Sequence, residues 1–542
     1  MTERWYKNAL IYCLDVETYK DSTGNGIGDF QGLSEKLNYI ANLGANCIWL
    51  LPFYPSPNRD NGYDVMDYYG VDPRLGTLGD FVQFMRLAEE RGLRVIVDLV
   101  INHTSIEHPW FQQARKDENS KYRDFYVWSE EKPEDADQGM IFPGQQETTW
   151  TYDRAAGEYY YHRFYEHQPE LNISNPKVRE EMRKIMGFWL ELGVSGFRLD
   201  AAPFLIELKG IDDPDVDNPY GYLSEFRDYL SWRRGDAILL AEANVAPEKV
   251  DEYFANGTRM HMLFNFLLNQ NLFLALEREK ASPLVESMQE TPAIPATGQW
   301  ANFLRNHDEL DLGRLSDQER QQVFQKFAPE EDMRLFDRGI RRRLPPMLAG
   351  NWPKIEMAYS LMLSLPGSPI LRYGEEIGMG EDLSLSGRTA VRTPMQWSNE
   401  KNAGFSSAEA EDLIRPVVEG GQYGYEQINV ADQQSDRDSL LNRIELMLRA
   451  RRNAPELGNG TCRVLEVENE SVLAHSCSWR GGRFVALHNL SGGSQQVKLT
   501  ALELEPQKFI NLLGREAMEI SGERLTLRPY GYQWLRSKSQ VA

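Results

Sequence analysis

The sequence contains few cysteines and few histidines. Of its 542 residues, 4 are cysteine and 8 are histidine. Cys13, Cys47, Cys462 and Cys477 lie far apart and form neither a CxxC pair nor the Cys/His spacing of a zinc site. This scarcity excludes a disulfide framework or a zinc module as the basis of the fold. We therefore expect the four cysteines to be free, buried thiols.

Basic residues and long apolar runs are scarce as well. The chain has 59 Lys and Arg against 81 Asp and Glu, and its net charge of −22 argues against nucleic acid or anionic lipid as a partner. The most apolar later stretch, residues 357–371, is too short to span a bilayer and contains Pro366 and Gly367. The first residues include Glu3 and Arg4 but no apolar core, so we expect no secretory signal and a cytoplasmic location.

Short apolar runs do occur, and they alternate with segments of helical periodicity, which is typical of βα units around a parallel sheet. Eight runs predict strands: 9–14, 47–51, 95–101, 196–199, 238–241, 262–264, 301–304 and 369–371. Between them, helical spacing predicts helices over 30–43, 78–91, 178–192, 222–233 and 357–364. Eight such units predict an α/β fold, a (β/α)8 TIM barrel.

Two regions depart from this alternation. Residues 104–172 are rich in aromatic side chains and too long for a simple loop, so they predict an inserted subdomain. Its aromatic rings either form the core of the insert or stack on a ligand. After an amphipathic segment at 439–452, alternating runs at 471–474, 484–487 and 524–527 predict antiparallel strands. We predict a barrel over 1–103 and 173–453, the insert over 104–172 and a C-terminal β-sandwich over 454–542.

Polar residues follow four of the predicted strands directly. In a parallel barrel, the carboxyl ends of the strands carry the active site. The residues in these positions are Asp98, Asn102, His103, Arg198, Asp200, Glu242, His307 and Asp308. Three of them, Asp200, Glu242 and Asp308, are carboxylates that should converge. One carboxylate that attacks an anomeric carbon and a second that protonates the leaving oxygen are what glycoside cleavage requires.

The motifs DLVINH, GFRLDAA, AEAN, FLRNHD and QPELN resemble the signature regions of the α-amylase family of retaining glycoside hydrolases and transglycosidases. The resemblance covers essentially the whole chain. It implies Asp200 as the nucleophile, Glu242 as the general acid/base and Asp308 as a carboxylate that grips sugar hydroxyls. It also implies that His103, Arg198 and His307 line the subsite of the attacked glucose.

Two further motifs resemble the branch of the family that acts on short substrates. NGYDVMDY contains Tyr63, an expected stacking platform, and Asp64, which is expected to hold the non-reducing end of the sugar together with Arg392 of VRTPMQW. The alternative for Asp64 and Arg392 is a plain salt bridge at the rim. If they form the expected pair, the cleft is closed at one end and takes short α-glucosides.

The resemblance also implies two structural cation sites, for Ca²⁺ or Mg²⁺, built from oxygen ligands. The first is a glycine-rich loop whose alternative role is to cap the next helix, and it would use Asp21, Thr23, Asn25, Ile27 and Asp29. The second would tie the insert to the barrel, the alternative being a hydrogen-bonded hinge, and it would use Asn102, Glu170, Phe204, Leu205 and Glu207. Thr23 and Glu170 depart from the residues usual at these sites.

The segments KLNYIANLGANCIWLLPFYPSP and SLPGSPILRYGEEIGMG resemble most the branch of the family that interconverts maltose and trehalose. The long segment after Asp308, through residues 341–343, is expected to be the lid, the alternative for its arginines being a solvated basic face. Val245, Ala246 and Asn265 depart from that branch near the expected acceptor side. An exo-acting α-glucosidase is therefore the alternative, and a non-catalytic barrel is the remote one. Maltose and trehalose are the expected ligands, and a homo-oligomer stays open.

Overall fold

Eight parallel strands form a closed barrel in the computed structural model, which describes residues 4–207, 218–514 and 519–538. In chain order the strands are Ile11–Leu14, Cys47–Leu50, Arg94–Leu99, Gly196–Leu199, Ile238–Ala241, Met262–Phe264, Gln299–Phe303 and Ser368–Arg372. Each strand pairs with the next one, and the eighth pairs with the first. The predicted TIM barrel is confirmed, although parts of the predicted domain ranges, residues 1–3, 208–217, 515–518 and 539–542, lie outside the described residues.

The barrel strands are apolar at successive positions because both of their faces are buried. Ile11 and Cys13 belong to a cluster inside the barrel, whereas Tyr12 and Leu14 belong to the layer between strands and helices. This two-sided burial explains why continuous apolar runs, rather than alternating ones, predict these strands.

Helices surround the barrel. Those of the barrel and its loops are Val16–Tyr19, Phe30–Glu35, Leu37–Leu43, Leu78–Glu90, Pro176–Glu191, Gly221–Arg233, Val250–Phe254, Phe266–Arg278, Ser282–Glu290, Asp317–Phe327, Leu344–Met347, Trp352–Ser364, Val430–Ser435, Leu440–Arg452 and Glu456–Asn459. The single helix predicted over 30–43 is two helices that meet at Lys36, whose ammonium lies 4.2 Å from the ring centroid of Trp397. Along the described stretches, every helix falls short of the length and apolarity that crossing a bilayer demands.

The insert folds around its own aromatic residues. It contains the helix Pro109–Ala114 and a small antiparallel sheet of Trp128–Ser129, Trp150–Asp153 and Glu158–Tyr161. The rings of Phe111 and Trp128 stack with their centroids 5.5 Å apart, and Trp150 and Tyr161 pack together in a separate buried cluster. Most of these rings therefore form the core of the insert, as one of the two sequence interpretations predicts.

The C-terminal region forms two antiparallel sheets with a shared apolar core. Their strands are Thr461–Val464, Val472–Trp479, Gly482–Asn489, Gln495–Lys498, Phe509–Asn511, Glu519–Ser521, Arg524–Leu527 and Tyr532–Ser537. The antiparallel β domain expected from the alternating runs is therefore confirmed, while its boundaries stay a prediction.

One expectation about the cysteines is wrong. Cys462 and Cys477 form a disulfide, because the first two strands of this domain pair in a register that places the two residues opposite each other. Cys13 and Cys47 are buried free thiols, as predicted.

Candidate active site

A cavity of about 710 Å³ opens at the carboxyl ends of the barrel strands. The three carboxylates expected there, Asp200, Glu242 and Asp308, all line it, together with Tyr63 and His103. The volume lies within the range of about 300–1,000 Å³ that is usual for small-molecule sites. The carboxyl ends of the parallel strands thus bring together side chains that lie far apart in the sequence.

The guanidinium of Arg198 joins two of these carboxylates. Arg198 lies on the fourth strand and is fully buried. Its Nη1 is 2.6 Å from Asp200 Oδ1, and its Nη2 is 2.6 Å from Glu242 Oε2. The separation of these two carboxyl groups is predicted to be about 5–5.5 Å, the value of retaining enzymes, rather than the about 6.5–9.5 Å of inverting ones.

The carboxylate of Asp98 is a third partner of Arg198. Its Oδ1 lies 3.2 Å from Arg198 Nη1 and accepts a hydrogen bond from the indole of Trp49 at 3.0 Å. Its Oδ2 accepts from the hydroxyl of Tyr63 at 2.7 Å. Burial raises the pKa of Asp98 to about 6, while Arg198 opposes this shift. The arginine is therefore held from several sides and cannot follow one carboxylate away from the other.

The two carboxylates bound by Arg198 differ in their acidity from Asp308. Burial raises the pKa of Glu242 to about 7 against the attraction of Arg198, and Asp200 and Asp308 raise it further. Burial also raises the pKa of Asp200, again opposed by Arg198. A carboxyl group with a pKa near neutrality is suited to general acid catalysis.

Asp308 lies between two arginines and the ring of His307. Its Oδ1 is 3.0 Å from Arg388 Nη1 and accepts a hydrogen bond from Arg392 Nη2 at 2.9 Å, while its Oδ2 is 3.2 Å from His307 Nε2. Although burial acts to raise the pKa of Asp308, Arg388, His307 and Arg392 hold it well below its usual range. Burial lowers the pKa of His307 well below its usual value. Asp308 is therefore ionised under all ordinary conditions.

Tyr63 and His103 form the wall of the cavity next to Arg198. The ring of Tyr63 stacks on that of His307 with the centroids 5.7 Å apart, and its hydroxyl is 2.7 Å from His307 Nε2. Burial lowers the pKa of His103 to about 3, so its ring is neutral at pH 7. The wall offers a neutral imidazole and an aromatic ring to a ligand.

The predicted ion pair of Asp64 and Arg392 is wrong. The carboxylate of Asp64 turns into its own loop and accepts hydrogen bonds from Ser56 Oγ at 2.8 Å and from the backbone N–H of Arg59 at 3.1 Å. Arg392 binds Asp308 and the carbonyl of His307 instead.

Asp60, four residues earlier, is the carboxylate that faces the cavity. It accepts a hydrogen bond from Gln168 Nε2 at 2.9 Å, and burial raises its pKa to about 6 against the attraction of Arg388 and Arg392. The sequence pattern does not reveal Asp60, because the positive φ angles of Asn58 and Asn61, which turn this loop, are not visible in an apolar or charge pattern.

The segment expected to be the lid contains two parts with different surroundings. Arg341, Arg342 and Arg343 are structural: they donate to the carbonyls of Leu383, Phe327 and Tyr373. Residues 334–340 form a hairpin of the short strands Arg334–Leu335 and Gly339–Ile340, and its Arg338 lines the cavity.

The tip of this hairpin meets residues 140–142 of the insert, which we call the insert tip. The rings of Phe336 and Phe142 lie 4.7 Å apart, and Arg338 Nη1 donates to the carbonyl of Ile141 at 3.1 Å. Phe336 and Asp337 both have positive φ angles, 56° and 58°, which are strained for residues other than glycine. The hairpin and the insert tip together form a cover over part of the cavity.

The three residues that depart from the family branch near the expected acceptor side lie in two different places. Val245 and Ala246 line the cavity. Asn265 does not: its side chain caps the helix Phe266–Arg278 by accepting from the N–H of Leu268 at 3.1 Å. Next to Val245, Asn244 lines the cavity and is held by Arg314, whose Nε donates to Asn244 Oδ1 at 2.8 Å.

The first predicted cation loop is hydrogen-bonded within itself. Asp21 accepts at both oxygens from backbone N–H groups of the same loop, and Asn25 accepts from the N–H of Ile27 at 2.9 Å. Asp29 accepts from the N–H of Gly32 at 2.7 Å and caps the helix Phe30–Glu35. These hydrogen bonds support the helix-capping alternative, and the cation site at this loop stays a prediction.

The second predicted set already surrounds a positive charge. Arg163 lies between Glu170, at 3.4 Å, and Glu207, at 2.5 Å. Asn102 Nδ2 donates to Glu170 Oε2 at 3.3 Å. Within the described residues, no three His, Cys, Asp or Glu side chains gather closely enough to hold a metal ion. The oxygen ligands suit a hard cation, but such an ion would have to compete with Arg163.

Comparison with known proteins agrees with this geometry. The family profile of the α-amylase catalytic domain matches residues 14–329 and 343–460, and that of the sucrose hydrolase-like C-terminal domain matches 481–536. The chain is 42% identical to a trehalose synthase of Pimelobacter sp., over 98% of this chain and 96% of the relative. It is 41% identical to a trehalose synthase/amylase of Mycolicibacterium smegmatis, over 98% and 92%. A crystal structure of the α-amylase from H. orenii is similar with a TM-score of 0.79 at 27% identity, over 98% and 100%.

The positions of Asp60 and Asp64 lead to opposite expectations for two matched variants. Asp60→Asn should lower kcat/KM on a short α-glucoside by about 1.5–3 kcal/mol in transition-state binding, because a carboxylate that faces the ligand is lost. Its melting temperature should change little. Asp64→Asn should mainly lower the melting temperature, since it removes the acceptor that holds residues 56–60. Steady-state kinetics and thermal unfolding measure both, and the reverse pattern would restore Asp64 as the ligand-facing residue.

Proposed function

The chain belongs to the α-amylase family, and from this membership and the geometry of the site we propose that it interconverts maltose and trehalose through a glucosyl group held covalently on Asp200. Some glucose is released by hydrolysis. The observation that carries the proposal is the bridge that Arg198 makes between Asp200 and Glu242 inside a partly covered cavity. Relatives named trehalose synthase match the chain over nearly its full length, which supports this branch of the family.

In the first step, Asp200 attacks the anomeric carbon of maltose while Glu242 gives its proton to the glycosidic oxygen. The bond between the anomeric carbon and that oxygen breaks, and free glucose remains beside the glucosyl-enzyme. Asp308 is ionised, so it accepts hydrogen bonds from hydroxyls of the glucose that is attacked. The neutral ring of His103 can accept or donate one more.

In the second step, the retained glucose turns and presents its anomeric hydroxyl to the glucosyl carbon. Glu242 takes the proton of that hydroxyl, the bond to Asp200 breaks, and trehalose forms with the configuration at the glucosyl carbon retained. If water attacks instead, the same proton transfer gives a second glucose. Exclusion of water by the cover therefore favours the mutase outcome.

An exo-acting α-glucosidase is the second candidate, and one observation favours it. Val245 and Ala246 form part of the wall beyond Glu242 and offer no side-chain hydrogen bond to a sugar. A glucose that is held only weakly there leaves more often before it can attack.

Product analysis after incubation with maltose tests the proposed function. We expect trehalose together with free glucose, and maltose from trehalose in the reverse direction. Labelled glucose added to the solution should enter trehalose poorly, because transfer within the closed site outcompetes exchange. Asp200→Asn should abolish both products while the protein stays folded, since an amide cannot form the covalent intermediate. Glucose alone, even at early times, would overturn the mutase and support the α-glucosidase.

The pKa of Glu242 predicts the alkaline side of the pH profile. Glu242 must carry its proton in the first step and has a pKa of about 7, so kcat/KM should fall as the pH rises above about 7. Glu242→Gln should lose activity on maltose but retain the first step with α-glucosyl fluoride, because fluoride leaves without a proton. In that variant the alkaline limb should vanish. A limb that persists unchanged in Glu242→Gln would assign the general acid to another group.

Calcium, a cytoplasmic location and a homo-oligomer stay predictions. For calcium, the second set of oxygen ligands is the better candidate, because it contains two carboxylates, Glu170 and Glu207, between which Arg163 is the positive charge that an ion would replace. Adding calcium to chelated protein is expected to raise its melting temperature, and Glu207→Gln is expected to lose this rise. Thermal unfolding with EDTA, and then with excess calcium or magnesium, measures the effect. Identical melting temperatures in all three conditions would leave Arg163 as the cation of this cluster.

A further inference from the structure

The side chain of Arg388 contacts three segments that lie far apart in the sequence: the loop that carries Asp308, the insert tip and the hairpin. It lies on the short 3-10 helix Gly387–Val391, in the loop region after the eighth barrel strand, and it lines the cavity. Its Nη1 lies 3.0 Å from Asp308 Oδ1, and its Nε donates to Glu309 Oε2 at 2.9 Å. These bonds fix one side of the guanidinium to the loop that carries Asp308.

The same guanidinium packs against the cover. Its central carbon lies 4.8 Å from the ring centroid of Phe142 in the insert tip and 5.4 Å from that of Phe336 in the hairpin. A planar cation stacked on aromatic rings gains energy from their faces. The guanidinium therefore contacts both the insert tip and the hairpin, while its N–H groups are paired with Asp308 and Glu309.

Two arginines share Asp308 Oδ1, and they differ in their burial and in their other partners. Arg392 is 1% exposed and also donates to the carbonyl of His307, so it is fixed. The side chain of Arg388 is 19% exposed and has a second carboxylate, Glu309, within reach. A sugar hydroxyl that binds Asp308 can thus displace Arg388 toward Glu309 without leaving its charge unpaired.

The base and the tip of the hairpin are held differently. Its base pairs with the residues after Glu309, with Leu310 opposite Ile340. At its tip, the strained backbone of Phe336 and Asp337 is held against the insert by the ring contact and by the bond from Arg338 to Ile141. The strain is thus confined to the tip, where the hairpin meets the insert tip, so Arg388 contributes to closure at the point that opens most easily.

We propose that Arg388 is a specificity-determining latch, which ties the insert tip and the hairpin to the Asp308 loop and so keeps the released glucose in the site until it attacks the glucosyl-enzyme. The proposal rests on the function proposed above and goes beyond it by naming the residue that sets the ratio of transfer to hydrolysis. Arg388 acts by closing the site, not by touching the reacting carbon.

The test compares the products that variants form from maltose at equal conversion. Arg388→Met keeps the length of the side chain but removes its charge, and it should raise the ratio of glucose to trehalose about tenfold, because water and bulk glucose exchange with the opened site. Added labelled glucose should then enter trehalose more readily than in the parent enzyme. Arg388→Lys keeps the charge but not the planar stack, so its ratio should lie between the two.

Phe336→Leu provides a second route to the same effect, since it removes a stacking ring and leaves the carboxylates paired. It should shift the ratio in the same direction, and the double variant with Arg388→Met should show no further shift, because both changes break one latch. Arg320→Met is the matched control: Arg320 pairs with Asp317 on the helix Asp317–Phe327 and does not line the cavity. It should leave the ratio unchanged.

Two results would overturn the latch. One is an unchanged product ratio and label uptake in Arg388→Met while the parent enzyme forms trehalose normally. The other is a pair of shifts in Arg388→Met and Phe336→Leu that simply add in the double variant, which would mean that they act separately. A parent enzyme that forms glucose only would overturn the proposed function together with the latch, so the two failures are distinguishable. Melting temperatures measured alongside identify variants that are merely unfolded.

Discussion

The buried guanidinium of Arg198 is the contact on which the site depends. It is fully buried on a barrel strand, and it has three carboxylates around it, those of Asp98, Asp200 and Glu242. Burying one charge without partners costs several kcal/mol, and so does burying each carboxylate alone. The four groups are therefore stable only together. Their arrangement is set by strand neighbours in the barrel, since Asp98 and Arg198 lie opposite each other in the register of the third and fourth strands.

A second cluster of charge complements the first. Asp308 contacts two arginines, Arg388 and Arg392, whereas Glu242 contacts one arginine and lies near the carboxylates of Asp200 and Asp308. The same small cavity thus contains one carboxyl group whose pKa lies far below neutrality and one whose pKa is about 7. This difference in pKa arises because the two carboxyl groups have different arginines and carboxylates as neighbours. It makes Asp308 a permanent hydrogen-bond acceptor and Glu242 a proton donor.

The parts that the sequence predicts well are those that the barrel strands carry. Two-sided burial produces apolar runs, and the rule that strand ends carry chemistry then selects Asp200, Glu242 and Asp308. The parts that it predicts poorly depend on loop geometry. Asp60 and Asp64 are both acidic and lie four residues apart, and only the course of the turn decides which one faces the cavity. Likewise, the pairing of Cys462 with Cys477 depends on a strand register that spacing alone does not reveal.

Barrel strands and loops also contribute to different parts of the reaction. Bond cleavage uses side chains at the ends of barrel strands, whose positions are over-determined by hydrogen-bonded neighbours on both sides. The choice between transfer and hydrolysis uses Phe142, Phe336 and Arg388, which come from three separate loops and meet only at the cavity mouth. Such loops can change without disturbing the barrel. Members of one family can therefore keep the cleavage chemistry while their products differ, and the product is determined where the sequence pattern is least informative.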